Sequence, residues 1–314
     1  MFLFHESSTA QTPGEPPPEG YVRICPEEKN KPSEVAAAPA GTVGARVYHG
    51  NPALDECSVV AIRYRKRNDK GPESICTGTI IGQNLILTAG HCGCGDPESY
   101  IVSMRSAVRS DEPFDIDKGD ARIKGKPILF DHDACTIGSR HGNDLALLML
   151  DADIGNLTNT FFGYAADAKY LAGNMQSILK VGQPFKVVGY GRTEFGTVGE
   201  RRKANIPLLT PNCLEGKYRA FCQPYLEMIL SDSQAARNGG RDSCGGDSGG
   251  PVFLELPANV CKAKSILIGV TSRAAPLTGN TAGQHCGGGG IYTLLGRTPV
   301  QDWLASYDAN PIKC

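Results

Sequence analysis

Arg241-Asp242-Ser243-Cys244-Gly245-Gly246-Asp247-Ser248-Gly249-Gly250-Pro251-Val252 is the stretch on which the reading of this chain turns. It crowds a displayed hydroxyl, two carboxylates, a cysteine and four glycines into twelve residues. Glycines on both sides of Ser248 permit turns closed to other residues and leave room for another molecule to approach the hydroxyl. A serine held this way is a candidate nucleophile when a base and an orienting acid exist elsewhere in the chain. Taken alone, the stretch reads equally well as a glycine-rich surface turn braced by a disulfide.

The base and the acid are present upstream. His91 closes the apolar run Leu87-Thr88-Ala89-Gly90, just before Cys92, and Asp144 opens the apolar run Leu145-Ala146-Leu147-Leu148, just after Asn143. Each alone is an ordinary structural residue. Together with Ser248 they supply nucleophile, base and orienter, in the order His, Asp, Ser.

The totals of the 314-residue chain set the frame. An apolar fraction of 40%, with 38 glycines and 21 prolines, suits a turn-rich globular fold and argues against a coiled coil. A formal net charge of −1 gives no electrostatic case for nucleic acid or an anionic membrane. No apolar run approaches the ~20 residues of a membrane-spanning helix. The twelve cysteines show neither a CxxC pair nor another zinc spacing, and Cys92-Gly93-Cys94 is too tight for one. They imply disulfides and an oxidising compartment, hence secretion. Met1 to Phe4 is briefly apolar before His5 and Glu6 interrupt, so no clear signal peptide is legible there. No metal and no cofactor is expected. Asp111 to Asp117 is acidic but lacks the spacing of a calcium loop and reads as a solvated turn.

Residues 1–46 are rich in proline and read as a flexible leader or pro-segment. Short strand patterns follow: Cys57 to Tyr64, Ile75 to Ile81, Asn84 to Thr88, Tyr100 to Val108, Ala121 to Ile123, Pro127 to Phe130 and Leu145 to Leu150. Arg65 to Gly71 reads as a charged hairpin turn. Later come Pro184 to Gly189, Ala204 to Leu209, Pro251 to Leu256, Ile266 to Thr271 and Gly290 to Leu294. Many short strands between turns indicate barrels or sandwiches, not a βαβ sheet. Ala165 to Leu179 is read as a short helix near an inter-domain connection. At the end, Val300, Trp303, Leu304 and Tyr307 fall on one helical face, with Thr298 as the expected N-cap. Asn156-Leu157-Thr158 is a formal glycosylation sequon.

Set side by side, TAGHC at 88–92, NDLALL at 143–148 and RDSCGGDSGGPV at 241–252 resemble the three signature blocks of the trypsin/chymotrypsin family of serine proteases, in that family's order. The resemblance runs from about Val47 to Asn310. It takes in Arg46-Val47-Tyr48-His49-Gly50, similar to an activation site, and Val187-Val188-Gly189-Tyr190-Gly191, similar to the strand opening the second barrel. It implies an all-β fold of two antiparallel β-barrels packed face to face with a C-terminal helix. The expected division is 1–46 as leader, 47–165 as the barrel carrying His91 and Asp144, and 166–314 as the connection, the second barrel with Ser248, and the helix.

The function implied is hydrolysis of peptide bonds, by a family whose mechanism is the reference case for a serine triad. Ser248 attacks the carbonyl, His91 carries the proton and Asp144 fixes the imidazole. The N–H groups of Gly246 and Ser248 face the oxyanion, where one donor is typically worth about 3 kcal/mol. Asp242 forms the floor of the specificity pocket, with Ser243, Ser272, Ala274 and Gly290 around the substrate. A buried carboxylate there needs a cation, so cleavage after Arg or Lys is expected, on protein or peptide substrates. Asp247 is expected to pair with the amino group that cleavage at Arg46-Val47 would free, making the chain a zymogen activated by a protease that cuts after Arg, itself included. Cys76–Cys92 and Cys244–Cys286 match family disulfides, and Cys213–Cys222 is a local pairing. Cys25, Cys57, Cys94, Cys135, Cys261 and Cys314 stay unassigned. Arg273 stands where the family usually has tryptophan, and Ala274 where it often has glycine. Arg273 is expected to repel basic side chains beside the pocket or recruit acidic ones, and Ala274 to narrow its entrance. A monomer is expected. The competing reading is a catalytically silent homologue that acts as a binding protein.

Overall fold

The computed structural model describes residues 47–66, 71, 73–137, 142–152, 179–232, 240–255, 265–277 and 286–307. The leader 1–46 with Arg46, the helix expected over 165–179 up to Ile178, Asn156, Cys25, Cys261 and Cys314 lie outside the described residues.

The chain forms two antiparallel sheets of seven strands each. The first contains β2 (Val59–Tyr64), β3 (Ser74–Ile80), β4 (Leu85–Thr88), β5 (Ile101–Ser103), β6 (Asp120–Arg122), β7 (Ile128–Leu129) and β8 (Ala146–Met149), in the order β6-β5-β2-β3-β4-β8-β7. It curls into a half-barrel, and a bridge between Ile123 and Leu150 draws its far strands together. The second contains β9 (Pro184–Gly189), β10 (Arg202–Thr210), β11 (Glu227–Leu230), β12 (Pro251–Glu255), β13 (Ser265–Ala274) and β14 (Gly290–Leu294), with β1 (Asn51–Pro52) laid on β10. Pairing of β9 with both β10 and β12 closes these six strands into a barrel. The two-barrel expectation therefore holds, with one barrel closed and the other a curled sheet.

The sequence explains most strands locally. Val59–Tyr64 is buried along its whole length, as a continuous β-branched and aromatic run should be. Arg202–Thr210 alternates between buried and more exposed positions, the period of a strand with one face inside. Tyr100 to Val108 is shorter than its pattern suggested: pairing with β2 covers only Ile101–Ser103. Beyond it, Arg105 turns to Glu112 and Asp120, at 2.8 and 3.1 Å, and these ion pairs set a loop instead of a ladder. The acidic turn is likewise occupied by its own bases, Asp111 with Arg109 and Asp115 with Lys118, both at 3.0 Å.

Strand β11 was not legible, because Glu, Met and Leu favour helices as readily as strands. Its ladder with β14 makes it a strand. The C-terminal helix α2 (Thr298–Ala305; α1 is the single turn Ala134–Ile137) also differs from expectation. Its N-cap is Arg297, and no side chain caps it. Thr298 is already helical, and Arg297 instead sends its guanidinium to Asn143 Oδ1 at 3.0 Å and the Gly142 carbonyl at 3.2 Å. Trp303 packs edge-on against Phe130, with centroids 5.1 Å apart, so the helix rests on the loop before Asp144. Among the described residues no helix is long and apolar enough to cross a membrane.

The two sheets meet at Thr77 on β3. Its N–H donates to the Ser248 carbonyl at 2.8 Å and its hydroxyl to the Gly246 carbonyl at 2.8 Å. The same hydroxyl accepts from Tyr190 N–H at 3.0 Å. Replacing it by the isosteric Thr77→Val leaves a buried acceptor and a buried donor without partners, at about 1–3 kcal/mol each. Chemical denaturation with disulfides intact should show Thr77→Val less stable by about 2–4 kcal/mol and Thr77→Ser close to the parent.

Candidate active site

His91 lies in a 3-10 turn, Gly90–Gly93, that follows β4 directly. Asp144 lies just before β8, which pairs with β4. That pairing brings the two residues together across 53 positions of sequence. Asp144 Oδ2 accepts from His91 Nδ1 at 2.9 Å and Oδ1 from the His91 main-chain N–H at 2.8 Å. Ser272 Oγ donates to the same Oδ2 at 2.6 Å. The Asp144 side chain is fully buried, while that of His91 is 30% exposed. Burial pushes the Asp144 carboxyl up, but the charge and hydrogen bonds of His91 and the hydroxyl of Ser272 outweigh it and hold it below the ordinary carboxylate range.

The other ring nitrogen is not used by Asp144. His91 Nε2 lies 3.7 Å from Cys92 Sγ, and the same sulfur is 3.6 Å from the Ser248 carbonyl. Among the described residues no hydrogen bond joins Ser248 Oγ to His91 Nε2; such contacts commonly tighten only when a substrate is bound. The Asp247 N–H is spent on the Cys244 carbonyl at 2.9 Å and the Gly249 N–H on Thr271 at 2.7 Å. Among the described residues neither Gly246 N–H nor Ser248 N–H has a protein acceptor. Gly249 is required where it stands: at φ 83°, its α-carbon faces the Thr77 carbonyl and Ala89 N–H so closely that a Cβ has no space.

Asp242 and Asp247 are both completely buried. Asp242 accepts from Ser243, Gly287 and Gly289 N–H at 2.8–2.9 Å. Burial drives its carboxyl up to about 7, these N–H groups only partly offsetting it, with the charge of Asp247 adding to the rise. Asp247 accepts from Gly191 N–H at 2.7 Å and Cys244 N–H at 2.8 Å, and burial raises it to about 6. Neither carboxylate has an ion-pair partner among the described residues. Ser243 Oγ meets Tyr292 Oη at 3.1 Å, and a Cβ on Gly290 would strike both hydroxyls. Ala274 is exposed beside Gly290, its register partner on β14. Val47 is buried with φ 29°, an unusual conformation for a β-branched residue.

A family model described as Trypsin matches residues 50–304. The chain belongs to the trypsin family. Among curated relatives, phenoloxidase-activating enzyme 1 of Spodoptera litura is 26% identical over an alignment covering 95% of this chain and 76% of the relative. CLIP domain-containing serine protease B4 of Anopheles gambiae is also 26% identical, covering 82% and 69%. Serine protease 56 of Mus musculus is 27% identical, covering 97% of this chain and 46% of the relative.

Within this trypsin-family framework four disulfides join described residues: Cys76–Cys92, Cys94–Cys135, Cys213–Cys222 and Cys244–Cys286. Three were expected; Cys94–Cys135 closes the histidine turn onto α1, a pairing that spacing alone left open. Cys76, His91 and Cys92 cluster closely, but both sulfurs belong to one disulfide and offer no thiolate to a metal. Arg273 differs from its expected behaviour. Its guanidinium does not face outward but turns to Glu227, at 2.5 and 2.8 Å, and to the Phe221 carbonyl at 2.8 Å. Glu227 was missed; the available signal was that a buried arginine demands a carboxylate. Thr77 was missed as well, because nothing local to it points to Gly246.

The Asp242 carboxyl sets a pH dependence. Its folded value lies above the unfolded one, so its contribution to stability is fully present below about pH 4 and is lost as pH rises through about 7. In the uncut chain, Asp242→Asn should be more stable than the parent by about 2–4 kcal/mol at pH 8. That difference should shrink towards zero by about pH 4, as read from denaturation curves at several pH values.

Proposed function

We propose that this member of the trypsin family is a secreted serine endopeptidase that cuts after Arg or Lys and is made as a zymogen. One observation supports the reading: a single buried carboxylate, Asp144, holds His91 by both its main-chain N–H and Nδ1, which leaves Nε2 as the ring nitrogen available to a nucleophile. In this reading His91 takes the Ser248 proton as Oγ attacks a peptide carbonyl, then returns it to the leaving amine. Asp144 keeps the imidazole in the tautomer that accepts at Nε2 and stabilises its cation. The unspent N–H groups of Gly246 and Ser248 receive the oxyanion. Residues 47–165 carry His91 and Asp144, and 166–314 carry Ser248 and the pocket.

Asp242 supports the preference for basic residues. A fully buried carboxylate held only by N–H groups binds a guanidinium or ammonium group most favourably when ionised. Ser243, Ala274 and Gly290 would line the same space, and Ser272 would present its main chain to substrate. Asp247 supports activation by cleavage: it is buried beside Gly189 and Gly191 with no cation among the described residues, and the amine freed at Val47 after cutting the Arg46-Val47 bond would supply one. The four disulfides among described residues favour an oxidising, extracellular setting. The activating enzyme is a protease that cuts after Arg.

The test compares arginyl and phenylalanyl amides before and after cleavage at Arg46-Val47, with Ser248→Ala as control. Turnover of the arginyl amide alone, only after cleavage and absent in the control, is expected. Equal turnover of both amides, or activity surviving in Ser248→Ala, overturns the reading. A small amidine should bind the cleaved protein with an affinity that falls towards tenfold per pH unit below about 7, where a proton competes for Asp242. Calorimetry on Asp242→Asn should show that dependence abolished.

A further inference from the structure

The register of β13 against β14 shifts between Thr271 and Arg273, which pair with Tyr292 and Ile291. Ser272 is therefore the extra residue of a β-bulge, a feature that re-aims neighbouring side chains. Ser272 and Arg273 reach the same region as a result. Ser272 Oγ gives its one proton to Asp144 Oδ2 at 2.6 Å and accepts from Arg273 Nη1 at 3.2 Å. With its proton given to Asp144 and one of its lone pairs taken by Arg273, the hydroxyl is held in one orientation. Arg273 is in turn gripped by both oxygens of Glu227 on β11, whose side chain is fully buried. Glu227 also accepts from Gln223 N–H at 2.7 Å. The contacts run without a gap: His91, Asp144, Ser272, Arg273, Glu227.

We propose that the Arg273–Glu227 ion pair is a positioning and charge-balancing device for the His91–Asp144 couple, acting through Ser272. It rests on the reading of His91 as general base given above. The arginine fixes the Ser272 hydroxyl on Asp144. The glutamate cancels the arginine's charge, so that Asp144 remains the net negative charge behind the imidazole. Burial raises the Glu227 carboxyl against the pull of Arg273, and the charge of Asp144 adds to the rise, so the two acids sense one another.

Among the described residues, Tyr64 and Arg297 are the other ionisable groups that act on this chain of contacts. Tyr64, raised by burial and by Asp144, faces the same acid. Arg297, lowered by burial to about 10, faces Glu227 and hydrogen-bonds Asn143. The elements packed against the histidine turn are β7, β8 and α1. They bring no ionisable side chain except Cys135, which is in a disulfide. Among the described residues, Arg273 and Glu227 are the ion pair in direct contact with the Ser272 hydroxyl that holds Asp144.

The experiment titrates the His91 ring protons by NMR in a Ser248→Ala background, which needs no turnover. Arg273→Gln leaves two carboxylates on that side and should move the midpoint up by about half to one pH unit. Glu227→Gln removes a carboxylate while keeping the arginine and should move it down by a similar amount. Should either single variant not fold, Arg273→Glu/Glu227→Arg keeps the pair neutral while placing the negative end nearest Ser272, and should move the midpoint up. Opposite shifts in the single variants, or the upward shift in the reversed pair, support the device. Shifts in the same direction, or none in folded protein, overturn it. With Ser248 restored, the acid limb of kcat/KM for an arginyl amide should follow the same directions. Variants that shift as described in a protein that turns over no arginyl amide after cleavage would sink the protease reading and leave only the charge coupling of the ion pair to His91 standing.

Discussion

Thr77 is the joint on which the arrangement depends. Its N–H holds the Ser248 carbonyl, its hydroxyl holds the Gly246 carbonyl and Tyr190, and its carbonyl accepts from Thr88 Oγ1 at 2.8 Å. One residue of the first sheet thus fixes two main-chain positions of the Ser248 loop and one at the end of β9. The proposed base and acid lie on the first sheet and the proposed nucleophile on the second. A reaction between them needs an interface that is rigid to within a fraction of an ångström. Hydrogen bonds supply that direction, because apolar packing across the common core is not directional. Tyr190 Oη and Arg201 extend the interface, reaching the Val59 carbonyl from the other side.

Among the described residues, four of the buried carboxylates belong to the proposed site and its surroundings, and they are compensated in three ways. Asp144 has an imidazole, a hydroxyl and a main-chain N–H, and stays acidic. Glu227 has an arginine. Asp242 and Asp247 have only main-chain N–H groups, and both rise well above the ordinary carboxylate range. Burying an ion without a counterion costs several kcal/mol. A fold that keeps two such sites next to a proposed nucleophile has stored a preference for cations, one at each. In the proposed function those cations arrive from the substrate and from a new N-terminus.

The replacement at Arg273 obeys the same constraint. The cost of Arg273 comes from its burial, and the carboxylate of Glu227 balances its charge. The contact is built by the bulge at Ser272, which the strand pattern Ile266 to Thr271 stopped short of. Glu227 is fully buried and Arg273 largely so, and burying either charge is costly without such a partner.

The sequence by itself determined the residue types and their order: His91, Asp144 and Ser248, Asp242 proposed for the pocket, two of the disulfides by resemblance, and most strands. These are legible because they sit in local patterns, an alternating or continuous apolar run ended by a turn with one reactive side chain. Only the tertiary structure decided who closes each hydrogen bond. Gly246 is 169 positions from Thr77, and Glu227 is 46 from Arg273. The N-cap of the last helix passed from Thr298 to Arg297, and Cys94 found Cys135. A side chain's local sequence fixes what it can donate or accept. Burial fixes that it must have a partner, and the partner is named by the packing of two sheets, which no single stretch encodes.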